Sequence, residues 1–466
     1  MQTRRDFLKV GASSVGCAYV AAQTPMLFGA EATAEPHFFL QIIIPGGVDP
    51  SYFFDARPLE MTAAKLIQNY SGTEAILYTG SNGQQTWRSQ LMNPLMPYMN
   101  KISVINGVHM VAAFDGHPQN MNFLLTGNAF GGEGQLPHFN MTGKKLPLDY
   151  LEVGGGFFGA DLQNAAGSAR LSVNAARNLS EKFRNAPALA AENSVLRQMR
   201  KRTANLQNNT SGLAQASWLL DQSLDQTPQV NQLLKNINLA ETKGAETMLQ
   251  SISMVGELFR GGLARSAMYV FDQFRTGAFI DTHSIESAKN QPKVYGDIAN
   301  DLASVMKHLS ETPFDDKRSL FDVTTVMVCS EFARTMRQSA SFISFESTGT
   351  DHNQYSNSFL IGGKGIRGGL VLGATDMESI AACQKEAISG AHLAVDRENL
   401  MAIGKPFNVA TATVSSDRPA EYKAEHYLNC ASVANALYDA FGCDKKFYRS
   451  MERNGPPVPS LKALLA

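Results

Sequence analysis

The sequence predicts an α/β fold, in which helices cover a sheet of buried strands, and three observations support this. Nearly apolar runs at 37–44, 102–108 and 323–329 have the composition of strands buried on both faces. Turn residues or abrupt charge follow them, as in Pro-Gly-Gly-Val-Asp49 and Ser-Glu331. Segments with helical spacing, such as 295–309 and 426–441, alternate with or follow the strands. Ligands in open α/β sheets bind beyond the carboxyl ends of strands, so chemistry is expected at these tips.

The first 34 residues are typical of an export signal. Thr-Arg-Arg-Asp-Phe-Leu-Lys at 3–9 has the adjacent arginines of a twin-arginine signal. The apolar run at 10–22 is too short to span a bilayer, and small residues near 30–34 offer a cleavage site. The sequence therefore predicts a signal peptide at 1–34, passage through the twin-arginine (Tat) translocon of a bacterium, and a periplasmic or secreted mature protein.

Composition excludes several classes of partner. The formal net charge is −1 and charged residues make up 18% of the chain, so nothing indicates a nucleic acid or an anionic membrane surface as a partner. No other run is long and apolar enough for a transmembrane segment.

Cys430 and Cys443 can pair with each other or with Cys383, and the sequence does not decide between these pairings. No cysteine and histidine spacing indicates a structural zinc site.

About 430 residues remain after the signal, which is enough for one large α/β domain with an insertion or for two domains. The predicted domain is 35–466. Residues 160–275 are rich in Ala, Leu, Asn, Gln and Ser and are predicted as a mainly helical insertion or cap. Further strands are predicted at 358–361 and 407–414, and a helix is predicted from Pro118 to Gly127.

Acids, histidines and one arginine follow the apolar runs: Asp49, His117, Asp281, His283, Glu331, Arg334, Asp351 and His352. Asp281 and His283 are two residues apart in a strand-like segment, so both side chains can meet one ion. Carboxylate and imidazole ligands suit Zn²⁺, Mn²⁺ or Fe. Two interpretations stay open on the residues alone, a divalent metal site and a structural polar network. Arg334 can bind a substrate oxyanion or hold Glu331.

An ordered set of motifs adds to these patterns. The twin-arginine start is followed by Gly-Gly-x-Asp at 46–49, Asp-Thr-His at 281–283, Ser-Glu-Phe-x-Arg at 330–334 and Gly-Thr-Asp-His at 349–352. Over nearly its whole length the chain resembles the exported bacterial family called domain of unknown function 1501. This resemblance implies the alkaline phosphatase and sulfatase superfamily, whose fold is a three-layer α/β/α sandwich with a large mixed sheet and a two-metal site at the strand ends.

The resemblance also implies roles for individual residues. Asp49 resembles the metal aspartate of the first strand, and Asp281 with His283 resembles an acid and histidine pair, although the superfamily usually spaces them by four. Glu331 stands where an aspartate for the second metal is usual, and His352 resembles the late histidine ligand. Asp351 is either a ligand or a neighbour that orients one.

The chain departs from the superfamily at the nucleophile. The stretch from His117 to Gly127 resembles the sulfatase helix that starts at the modified cysteine, and His117 then occupies the nucleophile position. Three interpretations stay open, in which His117 is a metal ligand, a histidine nucleophile, or a remnant in a protein that no longer catalyses.

Two functions follow from the resemblance. The first is a periplasmic hydrolase of phosphate or sulfate esters that uses Zn or Mn-like divalent ions and acts on a small anionic ester or a sulfated or phosphorylated glycan. The second is a non-catalytic exported protein on the same scaffold that binds a glycan or another partner through residues 160–275.

Overall fold

The computed structural model describes the residues that surround one large mixed sheet. These are 35–58, 74–110, 116–127, 129, 134–140, 142, 146, 150–155, 168–170, 246–272, 279–283, 290–335, 350, 352–379, 400–415, 426–443 and 458–466. The predicted signal at 1–34, Asp351, Cys383 and residues 171–245 of the predicted insertion lie outside them.

Within these residues, eight strands form the main sheet: β1 (Phe38–Ile43), β4 (Ile102–Asn106), β5 (Tyr150–Gly154), β6 (Ser168–Arg170), β7 (Ser266–Val270), β8 (Thr324–Cys329), β11 (Ser358–Gly363) and β12 (Val371–Leu372). Their order across the sheet is β12-β4-β11-β8-β1-β7-β5-β6. Strand β11 is antiparallel to both of its neighbours, and the other pairings are parallel.

In the described part of the chain, four two-stranded ribbons accompany the main sheet. They pair β2 (Ala75–Thr79) with β3 (Gln85–Ser89), β9 (Ala333–Arg334) with β10 (His352–Asn353), β13 (Thr375–Ser379) with β14 (Leu400–Gly404), and β15 (Phe407–Asn408) with β16 (Thr413–Val414). The β9 and β10 ribbon matters most for function, because it pairs Arg334 with His352 just beyond the end of β8.

Helices cover both faces of the sheet. They are α1 (His117–Thr126), α2 (Gln135–Asn140), α3 (Met248–Arg260), α4 (Gln291–Glu311), α5 (Leu320–Val323) and α6 (Cys430–Ala440), with 3-10 helices at Pro50–Tyr52, Gln90–Tyr98 and Lys462–Leu464. Apolar residues of α3 and α4 pack in one hydrophobic cluster, and those of α1, α2 and α6 pack in another. Among the described helices, none is both long and apolar enough to cross a membrane.

Strand β1 shows why the layers form. All six of its residues are buried, because it pairs with β7 on one side and β8 on the other while helices cover both faces. Successive side chains of a strand point to opposite faces. Leu40 and Ile42 accordingly join the cluster of α3 and α4, whereas Phe39 and Ile43 join the cluster of α1, α2 and α6. The predicted α/β class and three-layer arrangement are confirmed.

The strands predicted from apolar runs are present with small shifts in their ends, and α1 ends as predicted with Gly127 in a left-handed conformation. Two expectations were wrong. Residues 407–414 form the hairpin of β15 and β16, with Ala412 between them at a φ of 54°, and not one strand. The segment 279–283 has no regular secondary structure, although it was expected to be strand-like.

Two strands within the predicted insertion at 160–275, β6 and β7, belong to the main sheet. Strand β6 pairs with β5, and β7 lies between β1 and β5 in the centre of the sheet. A helical insertion between these strands stays a prediction for residues 171–245.

Candidate metal site

Two neighbouring parallel strands deliver the turns that form the site. Strand β1 ends at Ile43 beside Cys329 of β8, so the turns that follow them meet at one edge of the sheet. Gly46 and Gly47 have φ values of 105° and 90°, a region that favours glycine. A Cβ atom on Gly46 would lie 2.8 Å from the backbone nitrogen of Asp281, and one on Gly47 would lie 2.7 Å from Cδ of Arg334. Glycine here lets both residues approach the turn.

Glu331 is the buried acid of the turn after β8. Its Oε1 accepts hydrogen bonds from the backbone N–H of Gly46 at 2.7 Å and from Nδ1 of His117 at 2.7 Å. Its Oε2 accepts a hydrogen bond from the hydroxyl of Ser330 at 2.9 Å. A carboxylate only accepts hydrogen bonds, so the proton in the contact with His117 lies on Nδ1.

His117 begins helix α1 and reaches the site from the helix N-terminus. Gly116 caps the helix without a side chain, Pro118 occupies the first turn, and no acidic residue lies there. With Nδ1 bonded to Glu331, the other ring nitrogen, Nε2, lies 3.5 Å from Oδ2 of Asp281. The ring also packs against Phe332, with ring centroids 4.7 Å apart.

The segments 281–283 and 350–352 bring the remaining ligand candidates together. Thr350 donates a backbone hydrogen bond of 2.6 Å to the carbonyl of Thr282, and their hydroxyls lie 2.6 Å apart. His283 Nε2 then lies 3.0 Å from Oδ1 of Asp281 and 3.2 Å from Nε2 of His352. Although the segment is not a strand, the side chains of Asp281 and His283 do meet, as their spacing of two residues predicted.

Four of these residues form a group that could hold a metal ion. His117, Asp281, His283 and His352 each offer a ligand atom, and these atoms all lie within 4.8 Å of one another. His117 is buried, Asp281 and His352 are partly buried, and the side chain of His283 is 49% exposed. The group is therefore buried at His117 and open to solvent at His283. We call these four residues the metal cluster.

Arg334 stands behind the metal cluster with no exposed surface. One of its terminal nitrogens, Nη1, donates to Oδ1 of Asp281 at 3.0 Å and to the carbonyl of Gly46 at 3.3 Å. Its Nε and its other terminal nitrogen donate to the hydroxyl and the carbonyl of Thr350. Its guanidinium thus fixes Asp281 and the segment that carries His352. The predicted pairing with Glu331 is not among these hydrogen bonds.

Asp49 is also buried, and its carboxylate accepts a hydrogen bond from within its own turn. Its Oδ1 accepts a hydrogen bond from the backbone N–H of Ser51, which caps a short 3-10 helix, and its own N–H donates to the hydroxyl of Tyr295. Burial raises the pKa of Asp49 to about 6 and raises that of Tyr295 well above its usual value. Asp49 does not belong to the four-residue metal cluster.

The protonation equilibria within the metal cluster favour bound positive charge. Burial acts to raise the pKa of Asp281, but hydrogen bonds with His117 and His283 and the charge of Arg334 lower it far below its usual value. Burial acts to lower the pKa of His117, yet hydrogen bonds with Asp281 and Glu331 raise it above its usual value. The carboxylate of Asp281 is therefore ionised, and Asp281 and Glu331 stabilise positive charge at the ring of His117.

The structure brings together six of the eight residues predicted from sequence, namely His117, Asp281, His283, Glu331, Arg334 and His352. Asp49 lies near Arg334, and Asp351 lies outside the described residues. Sequence reasoning missed Phe332, whose ring lies 4.4 Å from that of His352, and the pair Thr282 and Thr350. All three lie inside the sequence motifs at 281–283, 330–334 and 349–352. Their position within these motifs, beside predicted site residues, is the signal that could have identified them.

Comparison with known proteins identifies the family. The profile described as "Protein of unknown function (DUF1501)" matches residues 40–405, which include the whole metal cluster. The chain belongs to the DUF1501 family. No curated protein sequence matches this DUF1501 chain.

Solved structures with some likeness to this DUF1501 protein share little sequence with it. The C-terminal periplasmic domain of EcEptC from Escherichia coli, in complex with Zn, is 8% identical with a TM-score of 0.30, over 73% of this chain and 76% of that one. The PsFucS1 sulfatase from Pseudoalteromonas sp. is 10% identical with a TM-score of 0.29, over 79% and 68%. A TAB5 alkaline phosphatase mutant with bound Mg is 10% identical with a TM-score of 0.30, over 71% and 92%. At such TM-scores the residues of the metal cluster, and not this likeness, carry the functional argument.

Proposed function

We propose that this protein is a metal-dependent hydrolase of phosphate or sulfate esters. The observation that carries the proposal is the convergence of His117, Asp281, His283 and His352, whose ligand atoms lie within 4.8 Å of one another at the carboxyl edge of the sheet. Three distant parts of the chain contribute these residues. A bound cation would offset the hydration that His117, Asp281 and His352 lose through burial or partial burial.

The donor set fits a divalent ion of the zinc or manganese type. Three imidazoles and one carboxylate are ligands that Zn²⁺, Mn²⁺ and Fe accept, whereas Mg²⁺ and Ca²⁺ prefer oxygen alone. The Nε2 atoms of His283 and His352 lie 3.2 Å apart, and Oδ1 of Asp281 lies 3.0 Å from the former. Two neutral imidazole nitrogens at this distance repel each other unless a proton or a metal ion lies between or beside them.

An anionic substrate fits the surroundings of the metal cluster. A bound ion would act as a Lewis acid toward an ester oxygen and stabilise the charge that develops during displacement. The N-terminus of α1 has no side-chain cap and no acidic residue in its first turn, which favours an anion. His283, whose side chain is 49% exposed, faces the solvent side from which a substrate would come.

The contacts of His117 and Arg334 indicate the roles of these two residues. His117 is a ligand through Nε2, since its Nδ1 is bonded to Glu331. Arg334 holds Asp281 ionised and in place, because its guanidinium is buried and directed at protein oxygens, so it is not assigned to the substrate anion. Export through the twin-arginine translocon and a periplasmic location remain parts of the proposal.

Elemental analysis of the mature protein, purified without chelators or a histidine tag, tests the proposal. We expect at least one transition metal per chain, and its loss when Asp281 and His283 are both replaced by alanine. A matched control replaces Asp297 and His308 of helix α4, an acid and a histidine outside the metal cluster, and should keep the metal. Metal content unchanged by the first pair of substitutions would overturn the site.

Turnover of generic aryl phosphate and aryl sulfate esters tests the activity. The parent protein should hydrolyse one of them, and the Asp281 and His283 double variant should not. Tightly bound metal without turnover of either ester would favour the non-catalytic binding protein on this scaffold.

A further inference from the structure

We infer that Glu331 is a positioning residue, which orients the ligand His117 and does not itself bind the metal ion. The inference rests on the proposed metal site and changes the role that the family resemblance implies, in which Glu331 is a ligand of a second metal. It follows from the partners of the carboxylate, from the ring nitrogen of His117 that faces the metal cluster, and from the burial of both side chains.

The first step concerns the oxygens of Glu331. Oε1 accepts two hydrogen bonds, from the Gly46 N–H and from His117, and Oε2 accepts one from Ser330. The side chain has no exposed surface. An ion bound directly to Oε1 would have to displace the Gly46 N–H or the imidazole of His117. Either loss would leave a buried polar group without its partner, which is costly.

The second step concerns the ring of His117. Its Nδ1 donates to Glu331, so in the neutral ring the lone pair lies on Nε2, and this is the atom that can bind a metal. Nε2 lies 3.5 Å from Oδ2 of Asp281 and therefore faces the metal cluster. The ring is also held by Phe332 and by the ring of His352, whose centroid lies 4.4 Å away. Glu331 thus selects the tautomer and the orientation that a ligand needs.

Loss of the Glu331 carboxylate should weaken the affinity of the site for metal. A carboxylate that accepts the distal N–H of a metal-bound histidine raises the basicity of that ligand, and loss of such a partner weakens metal affinity about 10- to 100-fold. Glu331→Gln is the informative change, because the amide oxygen can still accept from both Gly46 and His117. It removes the charge and keeps the shape.

A double-mutant cycle on the dissociation constant for Zn²⁺ separates the two roles of Glu331. A positioning residue acts only through His117, so Glu331→Gln should weaken binding about 10- to 100-fold in the parent protein and have no effect in the His117→Ala variant. A direct ligand would weaken binding by the same factor in both backgrounds, and that result would overturn the inference. The control Asp55→Asn changes another buried acid, one bonded to Arg57 and Thr375, and should leave affinity unchanged.

A measurement on the parent protein covers the case in which Glu331→Gln fails to fold. With ¹¹³Cd²⁺ as the probe and ¹⁵N-labelled histidine, scalar coupling should connect the ion to Nε2 of His117, while Nδ1 keeps its proton. Coupling to Nδ1 would mean that the bond to Glu331 breaks when metal binds, and would overturn the inference. Neither readout depends on turnover, so a protein that binds metal but hydrolyses no ester would contradict the proposed function and leave this inference standing.

Discussion

His37 lies at the amino ends of the parallel strands, here called the amino edge of the sheet, and His117 lies at their carboxyl ends, the carboxyl edge. Their pKa values are shifted in opposite directions. His37 precedes β1 at its amino end, stacks on Phe441 at 3.8 Å and contacts the hydroxyl of Thr325 at 2.7 Å. Burial, followed by the charge of Lys364, lowers its pKa to about 4. His117, at the carboxyl edge, is also buried, yet the carboxylates of Asp281 and Glu331 raise its pKa.

The difference teaches that burial together with a neighbouring cation keeps a histidine neutral, whereas nearby acids make the same side chain a site for positive charge. At the amino edge, the acid Glu35 pairs with Lys364 and Arg318, so its charge is already met by cations. At the carboxyl edge, Asp281 pairs with Arg334 and still contacts two histidines. The comparison therefore locates the edge of the sheet at which a metal ion is expected.

The largest effect is expected from removing the buried cation of the carboxyl edge. Arg334→Met leaves Asp281, the carbonyl of Gly46 and both oxygens of Thr350 without the guanidinium that they contact. Removing one partner of a buried ion pair costs about 3–5 kcal/mol, because the other charge stays buried without it. We therefore expect the free energy of unfolding to fall by about 4 kcal/mol. Urea denaturation of the metal-free protein at pH 7 measures it.

The matched control is an arginine of the amino edge. Arg318 pairs with Asp315 on the surface, and water screens that pair, so Arg318→Met should leave the urea midpoint unchanged. Equal midpoints for the two variants would contradict the assignment of Arg334 as a buried structural cation.

Asp49 offers the next largest effect, with a defined pH dependence. Burial raises its pKa to about 6 from 3.8, so the folded protein holds a proton that the unfolded chain has lost between pH 4 and 6. Above pH 6 the buried carboxylate is ionised and destabilises the fold. Asp49→Asn, which can still accept from Ser51, should be more stable than the parent at pH 8 by up to about 3 kcal/mol.

This gap should close as the pH falls from 6 to 4, where the parent carboxyl is neutral in the folded protein. Urea denaturation at pH 8, 6 and 4 in the presence of a chelator measures it. A gap that does not depend on pH would contradict the assigned pKa. A gap that reverses when metal is added would support the sequence prediction of Asp49 as a ligand.

The sequence was sufficient for strands β1, β4, β8 and β11 and for the edge that carries the site, but not for β7, which lies between β1 and β5 and within the segment predicted as a mainly helical insertion. Apolar runs such as those of β1 and β8 mark buried strands, and the abrupt change to Gly46 or Glu331 marks where they end. The carboxyl ends of parallel neighbours share one edge, so the convergence of distant motifs could be expected. His352 reaches the same edge for a different reason, since it precedes β11, which is antiparallel.

The partners of individual side chains could not be predicted. The role proposed for Glu331 depends on the N–H of Gly46, which is 285 residues away in sequence and meets Glu331 only because β1 pairs with β8. The hairpin of β15 and β16 was missed because an apolar and Thr-rich run does not reveal that Ala412 adopts a positive φ. Spacing predicts which residues share an edge, but not which atom of each faces which partner.

The smallest effect tests the amino edge through His37→Phe, which keeps an aromatic ring to stack on Phe441 and removes the titrating group. The folded-state pKa is about 4 and the usual value is 6.5, so as the pH falls through this window the unfolded chain takes up a proton that the folded protein does not. The full shift corresponds to about 3 kcal/mol, and partial exposure of His37 reduces it, so the parent should lose about 2 kcal/mol of stability between pH 7 and 4 that the variant keeps. Urea denaturation of both proteins across this range measures the difference, whose sign is opposite to that for Asp49. Parallel curves would mean that His37 takes up its proton in the folded protein too, and the two edges would then differ in their acids and not in their histidines.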